Sequence, residues 1–287
     1  MITPTDIQQR QPMHPSVFPL LSAAELDQRE AACRELLDSA GRVAMAGYLA
    51  LAAGGAVSMK GPQDFLTETD GEVEAHLRDA LLQRFPGDGF LGEESGGALT
   101  ARMWVVDPID GTANFARGIP HFCVSVGFID NGVIEIGGIA NPATGEVYFA
   151  RRGRGATCNG KPMHVAQTQA YDRASVELGW SRRISTRAYV ETIAALIDLG
   201  TNVRRSASGA LALAFVAQGR LDAYAEMHIN PWDCLAGLLL VEEAGGRVND
   251  FLAGHGLSDG NPVLACAPGI ANGMEQATSI RLSPQRA

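Results

Sequence analysis

Trp104-Val105-Val106-Asp107-Pro108-Ile109-Asp110-Gly111-Thr112-Ala113-Asn114-Phe115 is the stretch on which the reading of this chain turns. Met103 to Val106 is an apolar run of strand type, expected to be buried and to end at Val106. Two carboxylates, Asp107 and Asp110, then fall on a turn that carries Pro108 and Gly111. Gly111 and Thr112 can open the next helix, and backbone N–H groups at a helix start attract anions. Carboxylates beside an anion site repel a phosphate unless cations lie between them. The pattern Asp-Pro-x-Asp-Gly after a strand is also ordinary turn chemistry, so this stretch alone leaves both readings open.

Further acidic sites flank it. Gly92-Glu93-Glu94-Ser95 follows a short strand candidate, Phe90-Leu91. Asp70 closes Thr67-Glu68-Thr69-Asp70, and Asp233 closes Pro231-Trp232-Asp233, where an apolar helix begins. Each alone also fits a cap or a solvated charge, and Asp233 fits an N-cap. Packed together without cations, such carboxylates would repel one another, and some would take up protons. Oxygen ligands with no Cys or His suit Mg²⁺ better than Zn²⁺.

The surrounding pattern sets the layers. Ser22 with Glu25 makes a capping box ahead of Leu26, Cys33, Leu36, Leu37, Ala40 and Val43 at helical spacing. Residues 54–71 read as a turn or hairpin. A second box, Thr69 with Glu72, is expected to open a helix with Val73, Leu77, Ala80 and Leu81 on one face; Gly87 to Gly89 breaks it. Strands are predicted over Met103 to Val106, Cys123 to Ile129, Val133 to Ile139 and Glu146 to Ala150, with a hairpin turn at Asp130-Asn131-Gly132. Beyond them, helices near 187–198, 209–218 and 233–244 alternate with strands near 174–178, 221–225 and 263–266. The organisation expected is a tail over 1–23, a metal- and phosphate-binding α+β half over 24–150 and a substrate-side α/β half over 151–287, forming one compact catalytic unit.

Composition narrows the class. With 46% hydrophobic and 19% charged residues, the 287-residue chain is of ordinary globular type. A net charge of −9 and a pI near 5.2 argue against nucleic acid as the main partner. Arg151-Arg152-Gly153-Arg154, the one local basic run, reads as a solvated hairpin end. Cys33, Cys123, Cys158, Cys234 and Cys266 form no Cys-x-x-Cys pair and read as reduced, buried thiols. No apolar run approaches the roughly 20 residues of a membrane span. Met1 to Leu20 carries Pro and Gln where a signal peptide has an apolar core. A cytoplasmic enzyme is expected.

Taken in order, these motifs resemble the inositol monophosphatase family, within the larger lithium-sensitive, magnesium-dependent sugar-phosphatase superfamily. The residues that carry the resemblance are Gly92-Glu93-Glu94-Ser95, Asp107-Pro108-Ile109-Asp110-Gly111-Thr112, Pro231-Trp232-Asp233 with Gly245-Gly246 after it, and Asp64-x-x-Thr67-x-x-Asp70 upstream. The match runs from about residue 24 to about residue 270. It implies a layered α-β-α-β-α sandwich of the inositol monophosphatase and fructose-1,6-bisphosphatase type. It also implies two to three Mg²⁺ ions per site, Li⁺ as an inhibitor and a homodimer. Carried onto this chain, Glu93, Asp107 and the Ile109 carbonyl would hold one ion, and Asp107, Asp110 and Asp233 a second. A third, weaker ion would lean on Glu93 and water. Asp70 and Thr112 would orient the attacking water, with Glu94 behind the ligands. The backbone N–H groups of Gly111 and Thr112 would hold phosphate oxygens. The expected reaction is in-line attack by a metal-activated water, without a covalent phosphoenzyme.

The alcohol half of the substrate is less defined. Glu226 in Tyr224-Ala225-Glu226-Met227 matches a position that contacts substrate hydroxyls in inositol-type members; a surface Glu at a strand end is the plain alternative. Ala207 and Ser208, in Arg204-Arg205-Ser206-Ala207-Ser208-Gly209, match the substrate-side helix start, but Ala207 replaces the usual Gly. Ala212 stands where many bacterial members have Asp. Trp180 replaces a small polar residue, either lining the pocket or turned into the core. The expected substrate is inositol 1-monophosphate, with histidinol phosphate next and fructose bisphosphate or nucleotide 3′-phosphates further alternatives. An RNA- or polymerase-binding regulatory role is the alternative from another class.

Overall fold

Helix α1 (Ala23–Ala52) starts at the box read from the sequence: the Ser22 hydroxyl and backbone N–H both donate to Glu25, at 2.7 and 2.8 Å. The second box differs from expectation. Thr67, not Thr69, caps helix α2 (Glu68–Arg84), and Asp70, not Glu72, is its reciprocal partner. Strands β1 (Val57–Gly61) and β2 (Asp64–Thr67) form a hairpin that runs directly into Thr67. Thr67 therefore keeps the extended backbone that an N-cap needs, while Thr69 already lies inside the helix. The structure, a computed structural model, describes residues 19–52, 57–61 and 64–284; the tail up to residue 18 and the Asp64 side chain lie outside the described residues.

α1 and α2 bury Cys33, Leu36, Leu37, Ala40, Val73, Leu77 and Leu81 against a seven-stranded sheet. In that sheet β3 (Gly89–Gly92) runs parallel to β4 (Arg102–Asp110). The strands that follow are antiparallel: β5 (Cys123–Asp130), β6 (Val133–Asn141), β7 (Glu146–Arg151), β8 (Ala156–Cys158) and β9 (Lys161–Pro162). Between β5 and β6 the turn has φ of 49° at Asn131 and 78° at Gly132, the left-handed pair that a tight twisted hairpin needs. A four-residue helix, α3 (Thr112–Phe115), leaves the end of β4.

The opposite face of this sheet is covered by α5 (Gly209–Ala217) and α6 (Pro231–Glu243), both apolar on nearly every side. A helix of that composition must be buried all round. These two are, because a second sheet covers them, with strand order β11 (Asn202–Arg204), β10 (Ser175–Leu178), β12 (Ala223–Ile229), β14 (Asn261–Cys266) and β13 (Arg247–Val248). Outside it lie α4 (Thr186–Asp198) and α8 (Ala271–Thr278), with the short α7 (Gly256–Asp259) against α6. The order helix, sheet, helix, sheet, helix is the expected sandwich.

The basic run is solvated at its tip, where Gly153 and Arg154 are exposed, but not at its base. Arg151 is buried and paired with Asp27 and Glu30 of α1; Arg154 reaches the same two residues, and Arg152 pairs with Glu242 of α6. The hairpin end lies across the acidic flank of α1, so its charges serve the fold. All five cysteines are buried free thiols, none in a disulfide. Among the described residues no helix is long and apolar enough to cross a membrane.

Candidate active site

β4 does not stop at Val106. It continues through Asp110, and its register against β5 slips between Asp107, opposite Ser125, and Asp110, opposite Cys123. Three residues on β4 thus span two on β5, with Pro108, which has no N–H for the ladder, at the slip. In a regular strand, residues three apart face opposite sides. The extra residue reverses that parity and brings Asp107 and Asp110 together.

Asp233 joins them from the third position of α6, where its carboxylate accepts the Asn230 backbone N–H at 3.1 Å. Asn230 is the cap, so Asp233 is not the N-cap residue. Asp107, Asp110 and Asp233 each offer an oxygen, all within 4.8 Å of one another. The rest of each carboxylate is fixed by the fold. Asp107 Oδ1 accepts from the Ile109 N–H at 2.9 Å. Asp110 Oδ2 accepts the Ser208 hydroxyl at 2.5 Å and the Ala210 N–H at 2.7 Å, both at the start of α5. Burial, then the charges of Glu93, Asp110 and Asp233, push the Asp107 carboxyl well above the usual range. Burial, then Asp110, raises Asp233 to about 7. Burial also raises Asp110, against the opposing pull of Ser208 and the α5 N–H groups. Two buried carboxylates and one half-buried one, Asp233, destabilise one another's charge and form a site that a small hard cation fits.

Glu93 lies outside this tight trio. Its backbone N–H donates to Val106 O at 3.1 Å, and its charge reaches Asp107. The Ile109 carbonyl accepts the Thr112 hydroxyl at 2.9 Å. Asp70 Oδ2 is occupied by the Thr67 N–H and hydroxyl, while Oδ1 stands 3.5 Å from Thr112 Oγ1. Burial raises the Asp70 carboxyl. Gly111 has a φ of 96°, and a Cβ there would meet the His121 carbonyl at 2.9 Å, so the chain turns from β4 into α3 on a residue that must lack a side chain.

Sequence reasoning missed Glu74. This buried carboxylate accepts the backbone N–H groups of Glu94 and Ser95, each at 2.8 Å, one through each oxygen. A Cβ on Gly92 would come within 2.3 Å of that carboxylate. The signal was present: Glu74 interrupts the apolar face of α2 four residues after Asp70. Asn114 was also unassigned, yet its amide donates to the carbonyls of His121 and Ser206 and ties α3 to the loop before α5.

A cavity of about 590 Å³ opens over the trio, with Asp110 and Asp233 in its wall. Glu226, Ala207, Ser208 and Trp180 line it as well. Burial raises Glu226 to about 8, although the Tyr224 hydroxyl donates to it at 2.6 Å. Ala207 sits at φ 62°, the left-handed region that explains a glycine at this position. Trp180 is 36% exposed and on the cavity wall rather than in the core, with the Arg205 guanidinium 5.7 Å from its ring centre. Ala212 is packed inside α5, away from the cavity wall.

Comparison with known proteins agrees with this fold. The inositol monophosphatase family matches residues 25–285. A protein named Nus factor SuhB from Xylella fastidiosa is 41% identical over 198 residues, covering 68% of this chain and 72% of its own. An inositol-1-monophosphatase from Rhizobium meliloti is 39% identical over 203 residues, covering 69% and 76%. The crystal structure of extragenic suppressor protein suhB from Bartonella henselae superposes with a TM-score of 0.81 at 30% identity, over 88% of this chain and 98% of that one. The chain belongs to the inositol monophosphatase family.

Proposed function

We propose that this protein is a Mg²⁺-dependent phosphatase that hydrolyses a small phosphate monoester, with inositol 1-monophosphate as the reference substrate. The observation that carries this reading is the trio Asp107, Asp110 and Asp233, two buried and one half-buried, beside the cavity and next to the turn into α3. In this reading the trio, with Glu93 and the Ile109 carbonyl, holds the cations. Mg²⁺, when bound, would neutralise the ester's charge and lower the pKa of a water. Asp70 and Thr112 align that water: Asp70 is fixed through Thr67, and Thr112 through its bond to Ile109. The Gly111 and Thr112 N–H groups hold phosphate oxygens. Glu94 acts behind the ligands, and Glu226 and Ser208 face the alcohol half. Li⁺ inhibition, a homodimer and a cytoplasmic location go with the same reading.

Phosphate release should vanish in EDTA and return with Mg²⁺. Full turnover in metal-free buffer sinks the proposal. A regulatory reading draws on relatives named Nus factor SuhB, 36% identical in Escherichia coli over 76% of this chain. RNA binding in a gel-shift assay, without phosphate release from any ester, would favour it.

A further inference from the structure

Tyr224 carries a hydroxyl to which the phosphatase chemistry gives no task. Strand β12 sends alternate residues to opposite faces. Ala223 and Ala225 pack outward, with residues of α4 and α8, whereas Tyr224 packs inward with α5 and α6. Glu226, two residues on, shares the inward face and lines the cavity beside Tyr224. The Tyr224 ring is buried, and its hydroxyl donates to Glu226 Oε2 at 2.6 Å. A hydroxyl at the tip of a buried ring is costly without a partner, and a phenylalanine would fill the same volume without one.

Backbone from two other elements closes around the pair. Gly179 follows β10, and its N–H donates to the Ala225 carbonyl at 2.8 Å, which holds it against β12. A Cβ on Gly179 would come within 1.9 Å of Glu226 Oε2 and 2.7 Å of the Tyr224 hydroxyl. A Cβ on Gly209, the first residue of α5, would lie 2.9 Å from the same hydroxyl. The two glycines thus leave room for the phenol and the carboxylate and for little else. Glu226 depends on that contact, because the charges of Asp233 and Asp110 repel it while Arg205 draws it. Freed from the phenol, the carboxylate would swing away from the two aspartates toward Arg205. Among the described residues no donor reaches Oε1.

We infer that Tyr224 is a positioning residue for the alcohol half of the ester: by taking Oε2 of Glu226 it leaves Oε1 facing the cavity, where that oxygen meets a free hydroxyl of the alcohol. A hydroxyl both donates and accepts, so it fits Oε1 whether or not the carboxyl holds its proton. The inference rests on the phosphatase reading and names the residue that sets its selectivity for a hydroxylated alcohol. Tyr224 acts through Glu226, so its effect belongs in substrate affinity and not in the metal site.

The test compares inositol 1-phosphate with cyclohexyl phosphate, which keeps the ring and lacks its free hydroxyls, with Mg²⁺ present. The wild type should favour the inositol ester by about tenfold or more in kcat/KM. Tyr224→Phe should raise KM for that ester about fivefold to tenfold at nearly constant kcat, and move neither constant for cyclohexyl phosphate beyond about twofold. Half-activating Mg²⁺ should stay within about twofold, and in a Glu226→Ala background Tyr224→Phe should add less than about twofold. If Tyr224→Phe does not fold by thermal melting, Gly179→Ala takes its place: it pushes Oε2 off the phenol, leaves the ring intact, and should show the same selective loss. A wild-type ratio near one, parallel losses on both esters, or an undiminished Tyr224 effect without Glu226 overturns the inference. No phosphate release from either ester is the separate failure of the phosphatase reading. Calorimetry of the two esters then reads the same preference, and equal affinities in the wild type reject the inference.

Discussion

Asp107 is the residue whose replacement should cost most. Its carboxylate lies within 4.8 Å of those of Asp110 and Asp233, with the Glu93 charge acting on it, and its Oδ1 accepts the Ile109 N–H. On the proposed reading, Asp107→Asn would remove charge from each cation held there and should lower kcat at least about a hundredfold, or about 2.7 kcal/mol of barrier. Glu94→Gln should be milder, because the Glu94 backbone is held by Glu74 whatever its side chain. Steady-state kinetics of the two variants decide the ranking, and a worse Glu94→Gln overturns the ligand assignment. Ala207 makes a second prediction. At φ 62° an alanine pays about 1–2 kcal/mol of left-handed strain, more than the roughly 0.5–1 kcal/mol of extra chain entropy that glycine loses on folding. Ala207→Gly should therefore raise stability by about 0.5–1 kcal/mol in urea melts. A loss of stability there means that the alanine methyl packs against something worth more than the strain.

At the scale of elements, the site is assembled by ends. The bulged end of β4 supplies two carboxylates, the start of α6 a third, and the start of α5 the donors that orient Asp110. Helix α2 enters through Glu74, whose two oxygens fix the loop after β3 that carries Glu93. Glu74→Gln turns one accepting oxygen into an NH₂ that faces a backbone N–H. Mg²⁺ affinity measured by calorimetry should weaken about tenfold or more, the range typical for groups that orient metal ligands. Amide exchange at Glu94 and Ser95 should accelerate with it. A lowered melting temperature with unchanged Mg²⁺ affinity would reduce Glu74 to a structural role.

For the whole molecule, the buried acids link stability to pH. Asp233 keeps its proton in the folded, metal-free protein up to about pH 7, against 3.8 ordinarily. The native state thus binds more protons than the unfolded chain between those values, and metal-free stability falls as pH rises through that window. Glu226, raised to about 8, acts in the same direction. Acids held low by partners, such as Glu25 and Asp27, lose their contribution only below the ordinary carboxylate range. Without metal, the melting temperature should drop by at least about 3 °C from about pH 5.5 to about pH 8. Mg²⁺ should recover more at the higher pH, because it replaces the released protons. A metal-free melting temperature that rises with pH contradicts the packing of these carboxylates.

The layered fold was legible in the chain because its cues are local. Ser22 with Glu25, Asn131-Gly132, and the largely apolar helices read near 209–218 and 233–244 each specify one state of a short segment. The carboxylates were legible for the same reason: Asp107 and Asp110 follow an apolar run beside Pro108 and Gly111, Glu93 follows Gly92, Asp70 precedes Gly71, and Asp233 opens an apolar helix. What no local cue holds is parity and distance. Only the register against β5 shows that Asp107 and Asp110 share a side, since a bulge is a property of two strands. Only the hairpin running into α2 makes Thr67 the cap, and only the seat of 151–154 on α1 buries Arg151 and pairs Arg151 and Arg154 with Asp27 and Glu30. Arg183 and Arg205 are 22 positions apart in the chain and meet around one cavity because β10 and β11 lie side by side. Sequence sets what each segment is, by short-range sterics and hydrogen bonding; which side chains meet is decided by packing between segments distant in the chain.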